Sequence, residues 1–155
     1  MGILSFKSVG RTAQSLEEEV VDQKVIPVGI KTPLRLETID GPLAMHYSLE
    51  DQLSDNLRNL LQTNFGERLG LYDFGANLKP LTTNFSSQDT FDAEALTRIA
   101  AAISRWMPFV EPIDYISEVD RSQKLNTGLI RITITYNIPS LNITGKKIQT
   151  VLYVI

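Results

Sequence analysis

The stretch Ser48–Gly75, SLEDQLSDNLRNLLQTNFGERLGLYDFG, sets two kinds of sequence end to end. Its first half places Leu49, Leu53, Leu57, Leu60 and Leu61 on one stripe at helical spacing. Glu50 and Asp51 stand where the positive end of a helix dipole favours carboxylates. The second half, Thr63–Gly75, packs three glycines, a Glu-Arg pair and three aromatics into one loop. A glycine-rich loop suggests a phosphate cradle, and a loop carboxylate suggests an acid catalyst. The Lys-Ser/Thr ending of a P-loop is missing, and the loop follows a helix and not a strand. Glycosidic chemistry needs two facing carboxylates of separated proton affinity, and the pattern marks neither Glu67 nor Asp73 for such a pair. The plainer reading is a structural corner built on Thr63, Gly66, Glu67, Arg68, Phe74 and Gly75. Gly66 would take positive φ after the helix, and Arg68 would return to a carboxylate. Leu71, Tyr72 and Phe74 would fold onto the core.

Working outward, a second helix is expected from about Asp92 to Trp106, with Phe91, Ala95, Leu96, Ile99, Ala102, Ile103 and Trp106 on its apolar face. Pro108 ends it, because Met107 before a proline is pushed away from helical angles. Two strands follow. GLIRITITYNI, residues 128–138, alternates cleanly, and KKIQTVLYVI, residues 146–155, is rich in β-branched and aromatic residues. PSLNITGK, residues 139–146, joins them as a connection longer than a tight hairpin turn. Upstream, residues 24–48 hold three prolines and two glycines among alternating apolar residues, which suits extended or edge segments. Residues 1–24 are polar and mixed, with an acidic run at Glu17–Glu19, and read as an arm that orders against partners. The fold class is therefore α+β. Two main helices pack on a small β-sheet, with an extended N-terminal arm and a C-terminal strand pair.

The 155-residue chain is long enough for one domain with a real core. Its net charge of −3, with Lys and Arg scattered, argues against a phosphate-tracking nucleic-acid surface. No run approaches the roughly 18 apolar residues of a spanning helix. The start MGILSFKSVGRTAQ lacks a signal-peptide core and cleavage site, and Phe6 breaks the myristoylation pattern. With no Cys and a single His, His46, neither a disulfide framework nor a thiolate or multi-histidine metal cluster is available. No cofactor is expected. Trp106 and Phe109 flank the second helix end, Trp106 as core packing or as an exposed partner anchor.

The leucine-striped helix, the loop TNFGERLGLYDFG, a second helix ending in aromatic-x-Pro and a strand pair together resemble the small baseplate wedge proteins of contractile phage tails. The same family includes the matching baseplate component of type VI secretion and related contractile injection systems. The most specific pieces are Thr63, Gly66-Glu67-Arg68 and Phe74-Gly75, and the resemblance covers roughly residues 48–155. Family members usually carry Glu-Pro-Arg after the second helix. Here Met107-Pro108-Phe109 keeps only the proline, and Glu111-Pro112-Ile113 lacks the Arg.

The resemblance implies a non-enzymatic structural subunit that links the wedge core to the first sheath ring. The arm, residues 1–24, lies outside what the family core explains, and residues 25–155 are expected to form the wedge domain, with the family core at about 48–155. The implied partners are other baseplate wedge proteins and the tail sheath protein, with central hub or tube-initiator proteins as further candidates. Nucleic acid and membrane are not among them. The implied location is the virion tail baseplate, after assembly in the host cytoplasm. Partner contacts are expected at Arg105, Trp106, Met107, Pro108, Phe109 and Glu111, and at Leu152, Tyr153 and Val154 of a shareable last strand. The alternatives are a peptidoglycan-cleaving, lysozyme-like enzyme with Glu67 as acid and a generic regulatory binding domain of the same fold.

Overall fold

The computed structural model describes residues 26–37, 42–83, 87–122 and 127–154. The expected arm, residues 1–24, lies outside the described residues. The chain divides into two compact units, Met1–Leu49 and Glu50–Ile155. In the first, strand β1 (Gly29–Ile30) pairs antiparallel with β2 (Met45–His46), Gly29 opposite His46. The ladder continues irregularly through Lys31 N–H to Ala44 O, 2.9 Å, and an isolated bridge between Leu36 and Leu43. Such short extended pieces are what a proline-punctuated stretch can form.

The second unit carries the core. Helix α1 (Leu49–Gln62) leads through the corner to the short α2 (Lys79–Thr83) and to α3 (Gln88–Trp106). The three strands β3 (Glu111–Ser122), β4 (Thr127–Ile138) and β5 (Ile143–Val154) form an antiparallel meander with β4 in the middle. Alternation in β4 sends Ile130, Ile132, Ile134, Tyr136 and Ile138 to one face, where each is at most 1% exposed. Ile134 sits opposite Tyr115 on one side and Ile148 on the other. The same cluster includes Leu57, Leu60 and Leu61 of α1 and Phe91, Ala95, Ile99, Ala102 and Ile103 of α3, so helices cover one face of the sheet. Apolar area removed from water along this seam is the main stabilising term.

Two tyrosine hydroxyls at the seam have partners, whereas the buried Thr150 Oγ1 of β5 has none among the described residues. The buried Tyr136 hydroxyl lies 2.9 Å from Ser54 Oγ on α1. The Tyr115 hydroxyl donates to Asp92 on α3 at 3.3 Å. Burial pushes the Tyr115 phenol up and the Asp92 carboxylate adds to that, so it stays a neutral donor. Lys146 of β5 forms an ion pair with Glu50 at the start of α1, both partly exposed, so the pair orients more than it stabilises.

The α+β class stands as expected, with an additional short helix, α2, and three further differences in its elements. Helix α3 begins earlier than Asp92, because Ser87 caps it: its side chain accepts from Thr90 N–H at 3.3 Å. A third strand, β3, precedes the expected pair. Its inward Tyr115 and Val119 pack on the core, while Asp114, Glu118 and Asp120 face away. Strand β5 begins at Ile143, because a 3₁₀ turn, Pro139–Leu141, ends at Asn142 with φ 54° and shortens the connection. Ile132→Ala should cost about 2–5 kcal/mol, through lost burial and an unfilled cavity. Urea unfolding monitored by circular dichroism checks this, with a lower midpoint and an unchanged slope expected.

Candidate docking surface at the corner and the last strand

The end of α1 leaves carbonyls without helical partners, and the corner supplies them. After looping out, the chain returns so that Ala76 N–H donates to Leu60 O at 2.9 Å and Asn77 N–H donates to Thr63 O at 3.2 Å. Gly66, at φ 84°, turns the chain away, and its N–H donates to Tyr72 O at 2.8 Å across the loop. Gly75, at φ 111°, is where the returning strand presses on the helix end. A Cβ there would lie 2.1 Å from Thr63 O. Thr63 Oγ1 donates back to Asn59 O at 2.5 Å and closes the last turn.

Two asparagines that the sequence did not single out tie the loop together. Asn64 donates from its backbone N–H and from Nδ2 to the two oxygens of Glu67, at 2.7 and 2.9 Å. Its Oδ1 accepts from Lys79 N–H at 3.0 Å, at the start of α2. Asn77, at φ 51°, accepts from Phe65 N–H, and its carbonyl accepts from Arg98 of α3 at 2.6 Å. The only sequence cue was the Asn-x-x-Glu spacing, which resembles a cap but has no helix after it. The Asn64 backbone N–H, and then its side chain, hold the Glu67 carboxyl below the usual carboxylate range.

Arg68 differs from the expectation that it returns to a carboxylate. Its guanidinium lies over the Phe74 ring, 3.9 Å from the centroid, and it has no carboxylate partner among the described residues. Phe74 in turn meets Trp106 edge to face, with centroids 5.2 Å apart and planes at 61°. Arg105 lies over the Trp106 ring, 5.0 Å from its centroid, and is ion-paired with Asp73. The order Arg68, Phe74, Trp106, Arg105 is one continuous stack joining the corner to the end of α3. Grooves open on both sides of it. One, about 310 Å³, runs between Asn59, Arg68, Trp106 and Phe109; the other, about 340 Å³, lies between Phe65, Arg98 and Arg105.

The residues expected to contact partners fall into two places. Arg105, Pro108, Phe109 and Glu111 are exposed and Trp106 is half-buried, all beside the corner. Met107 is instead 6% exposed, because its N–H caps α3 on Ile103 O at 2.8 Å and its side chain joins the core. Leu152 is half-buried on the inward face, opposite Ile130, while Tyr153 is 67% exposed on the outward face. Val154 pairs with Gly128 at the strand end. Glu111 pairs with Asn137 at the far end of the same sheet, roughly 30 Å away at about 3.3 Å per residue. The two groups are separate surfaces on one body.

Among the described residues no group of three or more His, Cys, Asp or Glu could hold a metal ion. Nor, among the same residues, is any helix long and apolar enough to cross a membrane. The family model described as baseplate wedge protein gp25 matches residues 47–142, and the chain belongs to that family, as a baseplate wedge subunit whose partners are other baseplate proteins. A chain of the cryo-EM structure of the anti-feeding prophage baseplate, 6-fold symmetrised, shares the fold. It is 22% identical with a TM-score of 0.58, over 70% of this chain and 82% of that one. A crystal structure described as a "putative tail lysozyme" from Geobacter sulfurreducens is 23% identical with a TM-score of 0.50, over 68% of this chain and 89% of that one. No curated protein sequence matches the chain.

Gly75→Ala should destabilise by more than about 2 kcal/mol, since strain at positive φ and a backbone clash add. Gly66→Ala should cost only about 1 kcal/mol, because no atom lies within 4 Å of its Cβ position. Equal losses of melting temperature would contradict the close approach at Gly75. Glu67 binds its proton less readily when folded, so its contribution is fully present above the ordinary carboxylate value of 4.5. That contribution is lost as the pH falls through the lower folded-state value. The melting temperature of Glu67→Gln should therefore lie below wild type at pH 7, with the gap closing in acid.

Proposed function

We propose that this chain is a non-catalytic structural subunit that links the baseplate wedge core to the first sheath ring. In this reading the corner surface around Arg105, Trp106, Pro108, Phe109 and Glu111 meets the wedge core. The edge of β5 accepts an extended strand of the sheath protein. The observation that carries it is the pair of separate surfaces at opposite ends of one sheet, which suits a part that bridges two neighbours. Further contacts with central hub or tube-initiator proteins, assembly in the host cytoplasm, and ordering of residues 1–24 on assembly belong to the same proposal.

The two sheet edges are unequal, and the difference supports β5 as the shared one. Neither β3 nor β5 has a second strand neighbour among the described residues. Strand β3 is guarded by outward Asp114, Glu118 and Asp120 and by a register break between Pro112 and Asp114. Past Lys147, the outward positions of β5 are Gln149, Val151 and Tyr153, none of them charged. An uncharged edge is the one that accepts backbone pairing.

The enzymatic alternative places Glu67 as a general acid. Such an acid needs a raised pKa, and Asn64 shifts Glu67 the other way. The nearby Asp73 is ion-paired with Arg105. The test is coexpression with the neighbouring baseplate and sheath proteins, followed by purification and imaging. Wild type should sit between wedge core and sheath. The double variant Gln149→Lys, Val151→Lys should keep the wedge complex and lose at least about tenfold in sheath attachment, because edge charges block strand addition. Unchanged sheath attachment by a folded double variant would refute strand sharing at β5.

A further inference from the structure

The arginines of the second unit whose side chains are described have carboxylate partners, with one exception. Arg58 pairs with Asp55 at 2.6 Å, Arg98 with Glu94 at 2.6 Å, Arg131 with Glu118 at 3.5 Å, and Arg105 with Asp73. Among the described residues Arg68 has no carboxylate partner and lies over the face of Phe74. The one carboxylate adjacent to it in sequence, Glu67, is held by both donors of Asn64. Stacking on a ring holds a guanidinium in place while leaving the N–H groups on its rim free, and that rim matches the two oxygens of a carboxylate. The stack therefore positions a cation without neutralising it.

The groove beside Arg68 has complementary chemistry. Asn56 and Asn59 of α1 line one wall and Trp106 and Phe109 the other, with no acidic side chain among the lining residues. Phe109 is 41% exposed, so an apolar surface adjoins the free cation. In a chain of net charge −3 this is a local positive spot with aromatic flanks.

We propose that this groove receives an Asp or Glu side chain of a partner protein, with Arg68 binding the carboxylate and Trp106 and Phe109 covering an apolar neighbour of that residue. The proposal rests on the reading of the corner as a docking surface and names the chemistry it recognises.

The chain has a single tryptophan, Trp106, which lines this groove and the one on the other side of the stack, so its fluorescence reports binding and the Arg68 variants assign that binding to this groove. The full chain is titrated with an acetylated, amidated hexapeptide holding one Glu between two Leu, and with its Gln counterpart. The Glu peptide should bind about tenfold more tightly at low salt, with the preference shrinking as salt rises. Arg68→Gln should abolish the preference, and Arg68→Lys should keep part of it, because a lysine retains charge but not the fork. Melting curves establish that both variants fold. Equal affinity for the two peptides, no response to either, or a preference that survives Arg68→Gln would overturn the proposal. Copurification with baseplate neighbours separates this from the broader reading. If wild type and Arg68→Gln form the complex equally well, the groove assignment fails and the docking role stands. If wild type forms none, the docking role fails, and the peptide titration still decides the groove.

Discussion

The close approach of the returning chain to the end of α1 is the constraint on which the rest depends. Ala76 and Asn77 reach the Leu60 and Thr63 carbonyls only because nothing projects from Gly75, whose Cβ would occupy the space of Thr63 O. Once those two bonds form, Phe74 has one place to go, against the edge of Trp106. That contact ties the end of α1 to the end of α3, and both helices then present their apolar stripes to the same face of the sheet. Aromatic packing of this sort adds on the order of 1 kcal/mol beyond the area it buries. Its larger effect is directional, since it sets which helix faces are inward.

Much of this was legible in the sequence, for reasons that can be named. Helices α1 and α3 and strand β4 each carry an unbroken period, and local periodicity survives tertiary packing. Strand β3 did not show, because polar Ser117 faces inward and apolar Ile116 outward, which breaks the alternation, and Pro112 stands at its second position. An edge strand tolerates both features, and they erase the usual strand signal. The five residues of α2 are too few for a period. At the corner the glycines were readable, but Asn64 and Asn77 were not, since their bonds exist only after the chain has returned. Met107 was expected among the partner contacts because it falls in register with the family's Glu-Pro-Arg, and its inward turn follows from capping α3.

The sheet shows how one fold can hold both stable and available backbone. Strand β4 is bonded on both sides and buried on one face, so its backbone needs nothing further. Strands β3 and β5 are twelve residues each, long for edges, and each leaves a row of backbone groups without a strand partner among the described residues. Charge on β3 discourages pairing there. The outward run of β5 beyond Lys147 carries no such guard, which is a liability in an isolated subunit and an advantage in one built into an assembly.

Charge at the corner follows the same division between groups used internally and groups left over. Glu67 is held by Asn64, Asp73 by Arg105, and Glu50 by Lys146. Each of these carboxylates already has a partner within the chain, and Asn64 holds Glu67 below the usual carboxylate range. Arg68 is the exception, oriented by Phe74 but not neutralised. This fixed cation, without a carboxylate partner among the described residues, stands beside exposed aromatic surface. What it can do is recognise an anion, so the chemistry left open at this corner is that of binding.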